Sequence, residues 1–169
     1  MRIVIIGILY VIFMLFRCPA WLAGTDVPYI VRALMYPLFH ANIFHLAVNC
    51  ISIWAVWNDY NPRRDVRNFL AAFVISFLVY PLGFRPCIGF SNVLFAAVGL
   101  RARPFSCTYW WKLPTTIAFL VVMVAMCFFP QFSGTNHLAA FLFGMLFTSI
   151  DNNVLEPIRR DVRRYTGNR

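Results

Sequence analysis

Residues 89–100 read GFSNVLFAAVGL, an apolar segment that opens on Gly-x-Ser-Asn and is closed by Arg101. As a helix, its eleven residues from 90 to 100 would rise about 16 Å, roughly half of the hydrocarbon thickness of a bilayer. The segment is too short to cross a membrane by itself. A serine at its head therefore needs an explanation from the rest of the chain.

The composition is that of a membrane protein with several spans. Hydrophobic residues make up 61% of the 169 positions, and charged residues make up 12%, about half of what a soluble domain carries. Apolar blocks recur at 3–16, 43–57, 69–84, 90–100, 113–129 and 136–150. Because backbone groups in lipid must be satisfied within the chain and the alternation of membrane strands is absent, each block is predicted to be a helix.

Several of the apolar blocks are too short to span a membrane, and residues on either side extend them. The six helices are then predicted at about 3–22, 42–58, 68–84, 91–101, 112–130 and 136–151, followed by a basic tail at 152–169. We expect an all-α, polytopic membrane protein that forms a single domain over residues 1–169.

The basic residues predict the orientation of this domain. Of the fifteen Lys and Arg residues, all but Arg17, Arg32 and Arg85 lie at the amino terminus, in the second and fourth connections, or in the tail. By the positive-inside rule, both termini are predicted to be cytoplasmic. The protein itself is expected in the cell membrane. This orientation and anionic lipid headgroups explain the net charge of +9, so no nucleic-acid partner is expected.

The sequence leaves two questions open: whether the amino-terminal residues are cleaved and whether two cysteines pair. Residues 1–24 also resemble a secretory signal, whose cleavage would leave the rest of the topology unchanged. Cys18 and Cys87 both fall on the predicted outer side, where a disulfide between them is compatible with the compartment.

Strongly polar side chains inside the apolar blocks of a membrane protein are candidates for function. They are His45, Asn49, Ser76, Ser91, Asn92, Asn136 and His137. Ser76 stands alone and is interpreted as structural, with its hydroxyl returning to the preceding turn. Blocks two, four and six start on the same predicted side, so their first residues are expected at one depth, in a pocket that opens outward.

Ser91 and His137 are predicted to form a catalytic pair. A serine hydroxyl becomes a nucleophile when a histidine within hydrogen-bond reach accepts its proton. The N–H of Ser91 at a helix start, together with His45 and Asn49 one turn apart, is predicted to supply donors to an oxyanion. Since no acid lies inside an apolar block, a Ser–His dyad is favoured over a triad.

The residues that a metal-dependent or an aspartyl protease would require are absent from the apolar blocks of the sequence. No histidine is followed by Glu as in a His-Glu-x-x-His zinc site, and the apolar blocks hold no pair of carboxylates. Neither a metal nor another cofactor is expected. The same polar groups are also compatible with hydrogen bonds between helices, or with a channel, although the inner halves of blocks two, four and six offer only Ser52, Thr148 and Ser149.

These motifs resemble those of the rhomboid family of intramembrane serine proteases. HANIFHLAVN at 40–49 is similar to the family's His-x4-His-x3-Asn, GFS at 89–91 to its Gly-x-Ser, and HLAAFLFG at 137–144 to its His-x2-Gly-x3-Gly. The resemblance implies a six-helix bundle with a short, buried fourth helix. In it, Ser91 is the nucleophile and His137 is the general base.

The resemblance also implies supporting roles. His45, Asn49 and the Ser91 amide line the oxyanion hole, and the residues that support the site are His40, Gly89, Phe95, Gly99, Gly144 and Arg32. Phe95 is expected beneath the catalytic histidine. Arg32 stands where the family has the arginine of a Trp-Arg pair, although Val31 replaces the tryptophan.

Two positions depart from the family pattern. Asn92 and Ala140 each stand where the family has glycine. Asn92 is expected to add bulk and a polar group beside the nucleophile, whereas Ala140 preserves a small-x3-small pattern with Gly144.

The expected function is cleavage of peptide bonds in or near the transmembrane segments of other membrane proteins, through an acyl-enzyme. The implied partners are transmembrane substrates and the lipid bilayer, and the oligomeric state is open. The alternative is a catalytically inactive rhomboid-like protein that binds membrane clients for trafficking or quality control.

Overall fold

A computed structural model describes residues 1–16, 27–57, 62–82, 88–101 and 133–150, with isolated residues between 117 and 128 and between 157 and 162. Its helices are α1 (Arg2–Phe16), α2 (Tyr29–Met35), α3 (Ile43–Val56), α4 (Pro62–Val79), α5 (Ser91–Arg101) and α6 (Gly134–Ile150), with 3₁₀ turns at Tyr36–Leu38 and Tyr80–Leu82. Every regular element in these ranges is helical, which confirms the all-α prediction for the described part of the chain.

Most helix boundaries agree with the apolar blocks. The helices α1, α3, α5 and α6 begin and end within two residues of the predicted blocks. In contrast, α4 begins at Pro62, well before its block, because proline suits the first helical position and its first two turns are polar. The predicted helix at 112–130 and the tail at 152–169 fall mostly outside the described residues.

The described helices differ in whether they are long enough to span a membrane. Within the described ranges, Asp65–Leu82 alone is long and apolar enough to span a membrane as a single helix. Tyr29–Leu38 and Ile43–Val56, which meet at a bend of 79°, make a second span if they are counted together. The helices α1 and α5 are apolar but shorter. The count of six spans therefore stays a prediction.

Two contacts of arginine side chains join helix starts to helix ends. The Arg2 guanidinium at the start of α1 lies 3.9 Å from the ring centroid of Trp54, near the end of α3. Arg101 at the end of α5 pairs with Asp65 in the first turn of α4 at 3.1 Å. The first contact shows that α1 and α3 run in opposite directions, and the second shows the same for α4 and α5.

The helices α5 and α6 meet backbone to backbone. A Cβ atom added at Gly99 would collide with the carbonyl oxygen of Phe141, and one added at Gly144 would collide with the carbonyl oxygen of Ala96. Ala140, one turn before Gly144, is fully buried. The alanine at 140 thus leaves the close approach of a small-x3-small pair intact.

The core also holds the residue that precedes Ser91. Phe90 is 2% exposed, and its ring centroid lies 6.1 Å from that of Trp57 and 6.2 Å from that of Phe69. Aromatic pairs at this separation stabilise a core beyond their buried area. The start of α5 is therefore anchored by packing against α4 and the end of α3.

We expect Gly99→Ala and Gly144→Ala each to destabilise the protein by about 1–3 kcal/mol, because the added methyl group meets backbone that cannot move aside easily. Thermal unfolding in detergent should show this as a midpoint lowered by about 2–12 °C. The matched control is Gly7→Ala in α1, since nothing lies within 4 Å of a Cβ atom there. Equal midpoints for all three variants would contradict the close contact.

Candidate active site

Two helices begin side by side at the end of the bundle opposite the Arg101–Asp65 pair. The carbonyl oxygen of Phe90 accepts the first helical N–H bond of α5, from Leu94 at 3.1 Å, so Ser91 is the first residue of that helix. In α6, the N–H of His137 bonds to the carbonyl oxygen of Ser133 at 3.1 Å, which places His137 in the first turn. The N–H groups of a first turn lack helical acceptors, so the Ser91 N–H is available to a ligand.

The structure brings Ser91 and His137 into direct contact. Ser91 Oγ lies 2.8 Å from His137 Nε2, within hydrogen-bond range. His137 is 7% exposed, and the ring of Phe95 packs against its imidazole with a centroid separation of 4.5 Å. Phe95 lies one turn after Ser91 on the same helix face, so α5 supplies both the hydroxyl and the ring that holds the histidine.

The other imidazole nitrogen has a different environment. Nδ1 of His137 has no hydrogen-bond partner among the described residues. If Nε2 accepts a hydrogen bond from the Ser91 hydroxyl, neutral His137 carries its own proton on Nδ1. Within the described chain, the arrangement is thus a two-residue pair.

A left-handed turn precedes the serine. Gly89 has φ of +111°, a conformation that side-chain-bearing residues rarely adopt. A Cβ atom at Gly89 would lie 2.7 Å from Nε2 of His45 and 3.3 Å from Nδ2 of Asn49. The two side chains therefore lie against the turn, two residues before Ser91.

His45 and Asn49 lie on one face of α3. Asn42 caps this helix, with its Oδ1 accepting the N–H of His45 at 2.9 Å. Asn49, one turn later, is 3% exposed, and its Nδ2 has no hydrogen-bond partner among the described residues. A buried amide without a partner costs free energy, so an anion held beside Gly89 would satisfy it.

His40 supports this arrangement from the segment before α3. It is fully buried, and its ring centroid lies 5.2 Å from that of His45, with the rings inclined at 67°. This edge contact restricts the His45 ring.

The other predicted supporting residues lie farther along their elements. Arg32 is on α2, where its carbonyl oxygen accepts the N–H of Tyr36. Gly99 and Gly144 lie two turns beyond Ser91 and His137, in the contact between α5 and α6. They act on the site through the position of the helices.

Two buried polar side chains share one partner that no sequence pattern indicates. Ser76 does not stand alone, because its hydroxyl bonds to the hydroxyl of Tyr36. Asn92 is fully buried, and its Nδ2 donates to the same Tyr36 hydroxyl at 3.2 Å, so the polar group next to Ser91 is bonded within the core. Tyr36 was missed because no local spacing links it to partners 40 and 56 positions away.

Asn136 also carries polar atoms in the core. It is fully buried, and neither its Oδ1 nor its Nδ2 has a partner among the described residues. Over those same residues, no three His, Cys, Asp or Glu side chains are grouped so that they could hold a metal ion.

Comparison with known proteins gives one informative match. The model of the Rhomboid domain family matches residues 28–153, a range that runs from the start of α2 beyond the end of α6. No curated protein and no solved structure matches the chain significantly.

We expect Gly89→Ala to slow the reaction of Ser91 with a fluorophosphonate probe by about 100-fold, because the new methyl group displaces His45 and strains the turn. The measurement is the second-order labelling rate in detergent. Gly7→Ala, the same substitution in open space, should label at the wild-type rate. Wild-type labelling of Gly89→Ala would show that the turn does not shape the site.

Proposed function

This chain belongs to the rhomboid family, and from that premise we propose that it is a serine endopeptidase of transmembrane proteins. The family generally consists of intramembrane serine proteases, with some inactive relatives, and its domain is integral to the membrane. The observation that carries the proposal is the 2.8 Å contact between Ser91 Oγ and His137 Nε2. A binding protein has no need of this contact.

The first half of the reaction forms an acyl-enzyme. Ser91 Oγ attacks the carbonyl carbon of the scissile bond while its proton passes to His137 Nε2. The new Oγ–C bond converts the carbonyl oxygen to an oxyanion. When this intermediate collapses, the C–N bond breaks, and the imidazolium returns its proton to the departing amine.

Developing negative charge on the carbonyl oxygen needs donors that are in place beforehand. The Ser91 N–H at the positive end of α5 is one, and the side chains of His45 and Asn49 beside Gly89 are the others. The unpartnered Nδ2 of Asn49 supports this role, since its hydrogen-bond capacity is unused within the described chain.

The second half of the reaction releases the product. A water molecule loses a proton to His137 Nε2 and attacks the acyl carbon, and the proton then returns to Ser91 Oγ as the ester bond breaks. No residue outside the dyad has to change its protonation state. We propose the dyad, without a carboxylate partner, as the complete acid–base apparatus.

The depth of the site suggests how substrates reach it. In the proposed topology, six helices span the cell membrane, both termini are cytoplasmic, and the serine opens to the outer side. The α5 helix, with eleven residues, rises about 16 Å from Arg101, so Ser91 lies below the outer surface. A substrate helix must unwind to present a carbonyl there, which favours sequences with weak helices near that surface.

The alternatives receive less support. An inactive client-binding relative does not require a hydroxyl and an imidazole in hydrogen-bond contact. A channel requires polar groups that continue inward, but the Thr148 hydroxyl donates to the carbonyl oxygen of Leu100 and that of Ser149 to Met145. Both hydroxyls are thus hydrogen-bonded to backbone carbonyl oxygens.

The proposal predicts cleavage of a reconstituted transmembrane substrate that is abolished in Ser91→Ala and in His137→Ala. Each substitution removes one half of the dyad, and loss of a nucleophile or base costs about 10⁴-fold or more in kcat. Product bands after incubation in proteoliposomes give the measurement. Thermal unfolding checks that both variants remain folded.

Fluorophosphonate labelling separates the outcomes. Wild type should be labelled and Ser91→Ala should not be. Cleavage by Ser91→Ala at the wild-type rate would assign the nucleophile elsewhere. A folded wild type that neither cleaves any tested transmembrane substrate nor reacts with the probe would favour the client-binding alternative.

A further inference from the structure

One residue holds the chain on both sides of Ser91. The carbonyl oxygen of Tyr36 accepts the N–H of Gly89 at 2.9 Å, and the hydroxyl of Tyr36 accepts a bond from Nδ2 of Asn92 at 3.2 Å. Gly89 precedes the serine by two residues, and Asn92 follows it directly. The backbone and the side chain of Tyr36 are therefore hydrogen-bonded to the two ends of the segment that contains Ser91.

Tyr36 is in turn held by α4. Its hydroxyl bonds to the hydroxyl of Ser76 and to the carbonyl oxygen of Ser76, the latter at 3.3 Å. Its ring stacks on that of Tyr80, one turn further along, with a centroid distance of 4.6 Å and an interplanar angle of 25°. One contact with α4 and one with the 3₁₀ turn that follows it thus leave the Tyr36 ring little freedom.

The three linked side chains lie out of water. Tyr36 and Asn92 are fully buried, and Ser76 is 1% exposed. A buried polar group that loses its partner carries the full cost of its desolvation, so each member holds the others in place. If the Asn92 side chain rotated away, its hydrogen bond to the Tyr36 hydroxyl would be lost.

We infer that Asn92 and Tyr36 are positioning residues for the nucleophile, and that they set the rotation of the first turn of α5 about its axis. This inference deepens the proposed function and rests on it. Asn92 is adjacent to Ser91, so a tether on its side chain fixes the direction in which the Ser91 hydroxyl leaves the helix. The contact of Ser91 Oγ with His137 Nε2 depends on that direction.

The test is a double-mutant cycle with Tyr36→Phe, Asn92→Ala and the double variant. Tyr36→Phe removes only the hydroxyl and keeps both the ring and the carbonyl that holds Gly89. We expect each single variant to lower kcat and the fluorophosphonate labelling rate by about tenfold with KM unchanged, because the hydroxyl is misdirected rather than the substrate lost. The double variant should lose no more than the worse single one, since both remove the same bond.

Thr148→Val is the matched control. It removes another hydrogen bond to α5, from Thr148 Oγ1 to the carbonyl oxygen of Leu100 at 2.7 Å, but at the end far from Ser91. It should lower the unfolding midpoint while kcat and the labelling rate stay at wild-type values. Ser76→Ala, which keeps Tyr36 and Asn92, should show a smaller loss of kcat than either single variant.

The outcomes are distinct. If Tyr36→Phe and Asn92→Ala behave like Thr148→Val, with a lower midpoint but wild-type kcat and labelling, the network is only structural and the inference is overturned. Additive losses in the double variant would also overturn it, because the two side chains would then act separately. If wild type itself neither cleaves nor labels, the proposed function fails first, and the positioning role fails with it.

Discussion

The backbone contact between α5 and α6 governs the site, because it sets the relative height of the two helices. Gly99 lies eight residues after Ser91, about 12 Å along its helix, and Gly144 lies seven residues after His137, about 10.5 Å along its own. With the two glycines packed side by side, the two functional residues differ in height by only about 1.5 Å. A hydroxyl and an imidazole can close that gap, so the hydrogen bond at the helix starts follows from a contact two turns away.

Much of this site could be predicted because its parts obey short-range rules. His45 and Asn49 are four residues apart on a capped helix, and Ser91 heads an apolar run that ends at an arginine; both facts are local. The tether of Tyr36 to Asn92 is not local. It joins a seven-residue helix and its 3₁₀ turn, too short for a hydrophobic period, to a side chain 56 positions later. Only packing decides such a pairing.

The short α5 helix raises a separate difficulty, since residues 88–90 before it are not helical and would lie below the outer surface in the proposed topology. Irregular backbone there is tolerated only when protein satisfies its polar groups. The N–H of Gly89 finds the carbonyl oxygen of Tyr36, and the N–H of Tyr36 finds that of Arg32. The segment around α2 thus provides the backbone hydrogen bond that further helical turns before α5 would otherwise make. This explains why that segment folds against the turn at Gly89.

The asparagine after the serine changes how the parts of the site are coupled. A glycine there has no side chain, so Tyr36 would be bonded to this segment only through the N–H of Gly89. Asn92 adds a second hold on Tyr36. Tyr36 lies nine residues before His45 in the same continuous segment, so under the proposed function a displacement of that segment would move the proposed oxyanion donors and Ser91 together. Such coupling preserves the distance between them, and a constant distance is what electrostatic stabilisation of a transition state requires.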